Sequence, residues 1–302
     1  MTQVGEGKFK YEVDQNWLRY KPKFWELGQI ADVAIDSKDR VWLFSRSKHP
    51  ITCWEKDGKF IGSWGNLGLD KDEFRVPHGM YIDIDDNIWL ADHQTHLVTK
   101  HNENGDVLLS LGTFGYANIT ITTNGSQGTP FNMPTGIAIN SNKKIFVSDG
   151  YANRMMHRFS NEGKLEISWG SPGTKEGQFA ILHKVVVDKN DLVYVCDREN
   201  NRIQIFSPDG EYINSWHGFA GPGDIFFSKN EDVVYVLEQG GGENKNGISI
   251  LNLEGDIITR WRGVDSACQS AHGMWVDDDE NIYVAEIGDK GAGQRLTKFM
   301  KI

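Results

Sequence analysis

Histidine occurs three times at the same place in a repeated sequence pattern, just ahead of a short apolar run. The three stretches are "RVPHGMYID", "AILHKVVVD" and "QSAHGMWVD", which place the histidines at His78, His183 and His272. Neutral imidazoles are common ligands of zinc and of other divalent transition metals. If the fold brings these side chains together, they can hold one metal ion and leave outer positions open for a substrate.

The elements that carry the histidines belong to six repeated segments, and repeats of this kind decide the fold. Each segment gives an apolar strand, a polar turn rich in Asp, Asn and Lys, and a second apolar strand that ends near an acidic residue. The segments are residues 31–46, 77–93, 134–150, 182–198, 222–239 and 271–287. Most of them continue into a third and a fourth strand joined by a Gly-containing turn.

Four antiparallel strands that recur about every 50 residues are typical of the blades of a β-propeller. The sequence therefore predicts an all-β chain, a single six-bladed β-propeller domain of NHL-type repeats over residues 1–302. The sixth repeat stops one strand short at "RLTKFMKI", and "KFKYEVDQNW" near the N-terminus resembles a fourth strand. We expect the N-terminal strand to close the last blade. The polar stretch 113–133 predicts a long surface loop.

In a propeller the first strand of every blade lines a central channel, so equivalent positions face one another. At the opening position the six repeats carry Ala31, His78, Thr135, His183, Gly223 and His272. Histidine thus occupies alternate blades, which favours a metal site over three unrelated core histidines. A single buried histidine, by contrast, is more often a hydrogen-bonded core residue.

The remaining histidines do not share this position, and we expect surface or structural roles for them. They are His49, His93, His96, His101, His157 and His217. His93 and His96 follow a strand end and could also reach the mouth of the channel.

A second set of side chains lies at the ends of the second strands: Arg46, Tyr151 and Arg198. Arginine can grip a carboxylate with two hydrogen bonds, and a tyrosine beside a metal cation can act as a base. The arginines could instead form ion pairs with neighbours such as Asp197 and Glu199. Both interpretations stay open at this point.

Acidic residues end the second strand in every repeat but the first. They are Asp92, Asp149, Asp197, Glu238 and Glu286. Because they recur regardless of the histidines, we expect them to accept backbone or inter-blade hydrogen bonds rather than to act in catalysis.

The composition excludes several classes of function. The formal net charge of −10 argues against a nucleic-acid partner, since basic surface supplies most of that affinity. A membrane span needs a long apolar run, which the sequence lacks. The N-terminal residues lack the apolar core of a secretory signal, so we expect a cytoplasmic protein or a mature secreted form. The cysteines, Cys53, Cys196 and Cys268, are widely spaced and predict packing residues.

Several motifs resemble those of the peptidyl-alpha-hydroxyglycine alpha-amidating lyase family. They are "FSRSKH", "PHGMYIDIDDNIWLAD", "PTGIAINSNKKIFVSDGYANR", "GQFAILHKVVV", "DRENNRIQIF" and "AHGMWV", in the order of the family. The resemblance spans nearly the whole chain, and "SDGYxN" and "DRENxRIQ" are its specific parts.

The resemblance implies a zinc-dependent enzyme that cleaves the C–N bond of an alpha-hydroxyglycine-type substrate to an amide and glyoxylate. By motif correspondence, zinc or another divalent transition metal is held by His78, His183 and His272. The catalytic tyrosine falls on Tyr151, and two active-site arginines fall on Arg46 and Arg198. We expect a monomer that acts on a small-molecule or peptide substrate.

Three positions depart from the family pattern. Gly273 stands where members carry an aspartate for a structural calcium ion, so we expect calcium to bind weakly or not at all. Ser270 replaces a methionine that lines the substrate site, and Ala152 replaces a disulfide cysteine. These departures leave open a small hydroxylated amide, in place of a peptide, as the substrate. The alternatives to the lyase are a lactonase-like metallohydrolase, whose sites usually use carboxylate and Asn ligands, and a noncatalytic NHL binding module.

Overall fold

The computed structural model describes residues 2–18, 27–118, 130–240, 245–264, 268–288 and 296–302. Within these ranges the chain forms β-strands and one short 3₁₀ turn, Arg198–Asn200. No helix in the described ranges has the length and apolarity needed to cross a membrane. Part of the predicted loop at 113–133, residues 119–129, lies outside the described residues.

The strands in the described part of the chain assemble into six antiparallel sheets, five of four strands and one of five. The N-terminal pair is β1 (Gln3–Glu6) and β2 (Phe9–Asp14). The first blade is β3 (Gln29–Ile35), β4 (Val41–Arg46), β5 (Ile51–Trp54) and β6 (Phe60–Trp64). The second is β7 (Pro77–Ile82), β8 (Ile88–Asp92), β9 (Leu97–His101) and β10 (Val107–Gly112). The third is β11 (Gly136–Ile139), β12 (Ile145–Asp149), β13 (Met155–Phe159) and β14 (Leu165–Trp169).

The remaining three sheets repeat this plan. The fourth blade is β15 (Leu182–Val187), β16 (Val193–Asp197), β17 (Arg202–Phe206) and β18 (Tyr212–His217). The fifth is β19 (Pro222–Phe227), β20 (Val234–Glu238), β21 (Gly247–Leu251) and β22 (Ile257–Arg262). The sixth has β23 (Ala271–Val276), β24 (Ile282–Glu286) and β25 (Leu296–Lys301), followed by β2 and β1. The predicted fold class, an all-β propeller of six blades, is confirmed.

The closure of the last blade by the N-terminal strand is also confirmed. Strand β2 pairs with β25 in antiparallel register, with Tyr11 opposite Lys301 and Val13 opposite Phe299. The strand that the sixth repeat lacks is thus supplied from the other end of the chain.

The strands fall into two compact units, and the single-domain prediction stays a prediction. One unit is Met1–Leu67 with Pro222–Ile302, and it holds the first, fifth and sixth blades. The other is Gly68–Gly221, with the second, third and fourth blades. The second strands β8 and β12 are buried along their whole length, whereas outer strands such as β14 alternate between partly buried and exposed residues. Continuous burial fits strands covered on both faces, and alternation fits strands with one solvated face.

A tight polar turn joins the first and second strands and fixes their register. In the second blade, the Asp83 carboxylate accepts the backbone N–H groups of Asp85 and Asn87 and the indole N–H of Trp89. Asp86 has a φ of 59°, which the short polar side chains of such turns tolerate. This turn joins β7, the strand that carries His78, to β8.

Candidate metal and catalytic site

Each candidate histidine is the extra residue of a β-bulge. Strand β7 pairs Pro77 with Asp92 and then Gly79 with Ala91, so His78 falls between two successive residue pairs of the β7–β8 ladder. The same irregularity occurs at the matching residues Ala31, His183, Gly223 and His272. A bulge bends the strand and re-aims a side chain, and bulges are common next to functional sites. The shared sequence position therefore corresponds to a shared backbone irregularity.

The imidazoles of His78 and His272 make the same hydrogen bond. Nδ1 of His78 lies 2.8 Å from the carbonyl oxygen of Thr135, and Nδ1 of His272 lies 2.7 Å from that of Ala31. Because a carbonyl only accepts, Nδ1 carries the proton in each ring and Nε2 keeps its lone pair. This is the tautomer that a metal-ligating histidine with a carbonyl partner adopts.

A glycine after the histidine allows this contact in both blades. A Cβ atom on Gly79 would lie 2.2 Å from the Thr135 carbonyl oxygen, and one on Gly273 would lie 2.9 Å from that of Ala31. Only glycine lets the backbone approach the neighbouring strand so closely. The His-Gly pairs at 78–79 and 272–273 thus have a local structural reason.

The second, third and fourth blades bring His78, His183 and Tyr151 together within the unit Gly68–Gly221. The ring centroids of His78 and His183 are 4.9 Å apart, and both residues are 2% exposed. The Tyr151 ring lies 5.2 Å from that of His78 and 6.2 Å from that of His183. The Tyr151 hydroxyl is 3.2 Å from Nε2 of His78, where it donates to the lone pair.

Arg198 lies on the other side of the tyrosine. Its Nη1 donates to the Tyr151 hydroxyl oxygen at 3.4 Å, and the guanidinium lies 5.6 Å from the centre of the Tyr151 ring. Its Nε also forms an ion pair with Glu199 at 3.0 Å, so Arg198 contacts both a neighbouring acid and the candidate catalytic tyrosine. The other predicted acidic neighbour, Asp197, instead pairs with Arg202 at 2.8 Å. The positive charge of Arg198 beside the phenol oxygen of Tyr151 stabilises negative charge on that oxygen.

Gly150 explains why the tyrosine follows a glycine in the "SDGY" motif. A Cβ atom at this position would lie 1.7 Å from the carbonyl oxygen of Leu182. The chain between β12 and β13 therefore passes directly over the residue that precedes His183. This close approach places Tyr151 above the two histidines.

Two of the predicted site residues lie in the other unit. His272 is 4% exposed, and its backbone carbonyl accepts a hydrogen bond from Nε2 of Gln239 at 3.3 Å. Arg46 lies at the end of β4, where its Nη1 donates to Oε1 of Gln29 at 2.9 Å. Arg46 directly follows Ser45, which belongs to the residue pair beside the bulge in the first blade. Arg198 directly follows Asp197, which has the same place in the fourth blade. The two arginines therefore occupy equivalent positions.

The strand-end acids have the structural role predicted for them. Asp92 accepts the backbone N–H groups of Arg75 and Val76, which lead into β7. In other blades the backbone N–H groups of Asn132, Ala180 and Gln269 donate in the same way to the carboxylates of Asp149, Asp197 and Glu286, respectively. Glu238 instead accepts from Ser249 and forms ion pairs with Arg260 and Arg262. The three cysteines are buried, as predicted for packing residues.

Thr135 makes contacts with the site that the sequence did not predict. In the repeat pattern it was only the neutral residue at the position between His78 and His183. Its carbonyl holds His78, and its hydroxyl donates to the carbonyl of Leu182 at 2.7 Å, next to His183. Thr135 therefore links the first strands of three successive blades. Its place in the register, between the two histidine blades, was the available signal.

His93 is a second residue that contacts the candidate site, although the sequence predicted a surface or structural role for it. Its ring centroid lies 5.7 Å from that of His78 and 5.5 Å from that of Tyr151. It directly follows Asp92, so it occupies the place that Arg46 and Arg198 occupy in their blades. That equivalence is visible in the sequence once the repeats are superposed.

Residues 179–206 match the family model of the NHL repeat. The chain is 28% identical over 315 residues to peptidylglycine alpha-amidating monooxygenase of Rattus norvegicus, which covers 93% of this chain and 31% of that protein. It is 29% identical over 203 residues to peptidyl-alpha-hydroxyglycine alpha-amidating lyase 1 of Drosophila melanogaster, covering 58% of this chain and 36% of that protein. The chain thus spans about a third of the length of these relatives.

The solved structure of virginiamycin B lyase from Staphylococcus aureus shares the fold, with a TM-score of 0.65 and 17% identity. It covers 97% of this chain, and this chain covers 100% of it. At that identity the likeness concerns the fold alone. The resemblance that the motifs indicated is confirmed: the chain is similar, over most of its length, to proteins named for peptidylglycine amidation.

Proposed function

We propose that this protein is a zinc-dependent lyase that cleaves the C–N bond of an alpha-hydroxyglycine-type substrate and releases an amide and glyoxylate. One observation carries the proposal. The phenol oxygen of Tyr151 lies between Nε2 of His78, at 3.2 Å, and Nη1 of Arg198, at 3.4 Å. A candidate metal ligand (His78) and an anion-binding group (Arg198) therefore each lie within hydrogen-bonding distance of a candidate proton acceptor (Tyr151). Relatives named amidating lyases support the same reaction class.

The donor set fits zinc or another divalent transition metal. His78 and His183 are buried with their rings 4.9 Å apart, and the carbonyl contact at Nδ1 leaves Nε2 of His78 as a ligand atom. We assign His272 as the third ligand because it has the same bulge position and the same Nδ1 contact. When bound, zinc would supply a Lewis acid that makes a coordinated hydroxyl easier to deprotonate.

The chain's own residues then have separate tasks. With Nε2 of His78 occupied by the metal, that nitrogen would no longer accept the Tyr151 hydroxyl. Tyr151 then acts as a phenolate: Arg198 stabilises its negative charge, and its oxygen takes the proton of the substrate hydroxyl. The fork-shaped guanidinium groups of Arg198 and Arg46 hold the substrate carboxylate. Arg46 is included because it occupies in the first blade the place that Arg198 occupies in the fourth.

The reaction balances without water. The substrate's O–H proton moves to Tyr151, a carbon–oxygen double bond forms, and the C–N bond breaks. The leaving amide nitrogen gains a proton, which Tyr151 can return. The products are the amide and glyoxylate.

Product analysis with alpha-hydroxyhippurate tests this function, because the compound carries the hydroxyl, amide and carboxylate on a small frame. The lyase yields benzamide and glyoxylate in equal amounts, above a blank without protein. Benzoate as the product would instead indicate a hydrolase. Unchanged substrate with metal-loaded protein would overturn the proposed activity on this substrate and favour a binding module or another reaction.

A further inference from the structure

The loop between β8 and β9, residues 93–96, carries two histidines that are not among the proposed metal ligands. His93 contacts the ring of Tyr151. His96 bonds to Met133, whose carbonyl accepts the backbone N–H of Tyr151. Neither contact is needed to close the blade, whose β8–β9 pairing begins beyond the loop with Asp92 opposite Leu97.

His93 packs edge to face against Tyr151. The ring centroids are 5.5 Å apart with an interplanar angle of 76°, a favourable geometry for two aromatic rings. The same His93 ring lies 5.7 Å from His78. The backbone N–H of His93 donates to the carbonyl of Val76 at 3.2 Å, which ties the loop to the chain entering β7.

His96 acts on the tyrosine through one intermediate residue. Its Nδ1 accepts the backbone N–H of Met133 at 3.2 Å, and the Met133 carbonyl accepts the backbone N–H of Tyr151 at 3.5 Å. His96 and Met133 both adopt positive φ, 58° and 70°. Such backbone strain in residues other than glycine persists only where surrounding contacts hold it, and it is frequent at functional sites.

We propose that the 93–96 loop positions Tyr151 for proton transfer: the His93 ring holds the tyrosine ring against His78, and His96 fixes its backbone through Met133. Both histidines are positioning residues, because the contacts that carry the argument are with the ring of Tyr151 and with the Met133 backbone that bonds to Tyr151. The inference rests on the proposed function of Tyr151, but the loop contacts can be tested without any assay of activity.

Two variants separate ring packing at residue 93 from other effects. His93→Ala removes the ring and is expected to lower kcat by about 10-fold with KM within about twofold, because a small misplacement of a reacting group is costly. His93→Phe keeps an aromatic ring in the same place and should restore kcat to within about threefold of the wild type. Equal loss in both variants would overturn the packing role of His93.

At His96 the test uses two variants that both tolerate the positive φ of this residue. His96→Asn keeps a short side-chain acceptor and tolerates this backbone conformation, whereas His96→Gly tolerates the conformation but lacks the acceptor. Hydrogen exchange of peptides covering Tyr151 should be near wild type in His96→Asn and faster in His96→Gly. The same exchange rate in both variants would overturn the role of His96.

The two histidines must also depend on the phenol oxygen if they act through it. In a Tyr151→Phe background, His93→Ala and His96→Gly should lower kcat by less than about twofold further, because the group that they position is gone. Full additivity would show a general structural effect and overturn the proposal. If wild-type protein releases no glyoxylate, the proposed function fails, while the exchange measurement still decides whether the loop holds Tyr151.

Discussion

Replacing Tyr151 with Phe isolates the phenol oxygen. The variant loses the contacts to Nε2 of His78 and Nη1 of Arg198, at 3.2 and 3.4 Å, but keeps the ring that packs against His78 and His93. Loss of one such hydrogen-bonding group costs about 1 kcal/mol of stability, which corresponds to a fall in Tm of about 2–4 °C. Metal content should not change, since Tyr151 is not a proposed ligand.

The expected effect on turnover is much larger than the effect on stability. Loss of the acid–base group should lower kcat by about 100-fold or more, equivalent to about 2.7 kcal/mol in the activation barrier. Glyoxylate release at saturating alpha-hydroxyhippurate measures kcat, and thermal denaturation measures stability.

Tyr212→Phe is the matched control for this variant. It also removes a hydroxyl hydrogen bond, the 2.7 Å contact to Ser215, but from an outer strand of the same unit. A kcat of Tyr151→Phe within about threefold of this control would refute the assignment of Tyr151 as the base.

Arg198→Ala and Arg46→Ala should each raise KM for carboxylate-bearing substrates by about 10-fold or more, since a charge-assisted hydrogen bond contributes about 1.5–3 kcal/mol; equal loss on a carboxamide analogue would contradict this. Elemental analysis should find no tightly bound calcium, and Gly273→Asp should destabilise the protein, because its Cβ would lie 2.2 Å from Oδ1 of Asp32. Stoichiometric calcium would contradict that expectation. Burial lowers the pKa of the His101 imidazole in the folded protein. As the pH falls below about 6.5, the unfolded chain therefore binds a proton at His101 more readily than the folded protein does, and the free energy of unfolding decreases. His101→Gln should therefore flatten the dependence of Tm on pH, and an unchanged slope would contradict this account.

The fold could be predicted from the sequence because its signals are local and repeated. Apolar runs, polar turns and Gly-containing hairpins recur in the same order, and the short last repeat indicated closure by the N-terminal strand. The observed pairing of β2 with β25 follows directly. The matched positions of the histidines were visible for the same reason.

The contacts that orient the site could not be predicted, because they join residues far apart in the chain. The bulge at His78 and its bond to the Thr135 carbonyl depend on how closely two blades approach. The direction of the His93 ring likewise depends on packing against Tyr151 from the next blade. Repeat superposition gives a residue's place in its blade, but side-chain direction in a loop is set by tertiary contacts.

The most direct test of the central claim is glyoxylate release by metal-depleted and zinc-restored protein. Chelation should remove one equivalent of metal and abolish glyoxylate release, and stoichiometric zinc or a similar divalent metal should restore it. His183→Ala serves as the matched variant, because it lacks one proposed ligand and should recover neither metal nor activity. Undiminished glyoxylate release by the metal-free protein, or stoichiometric metal in His183→Ala, would contradict a lyase built on the three matched histidines.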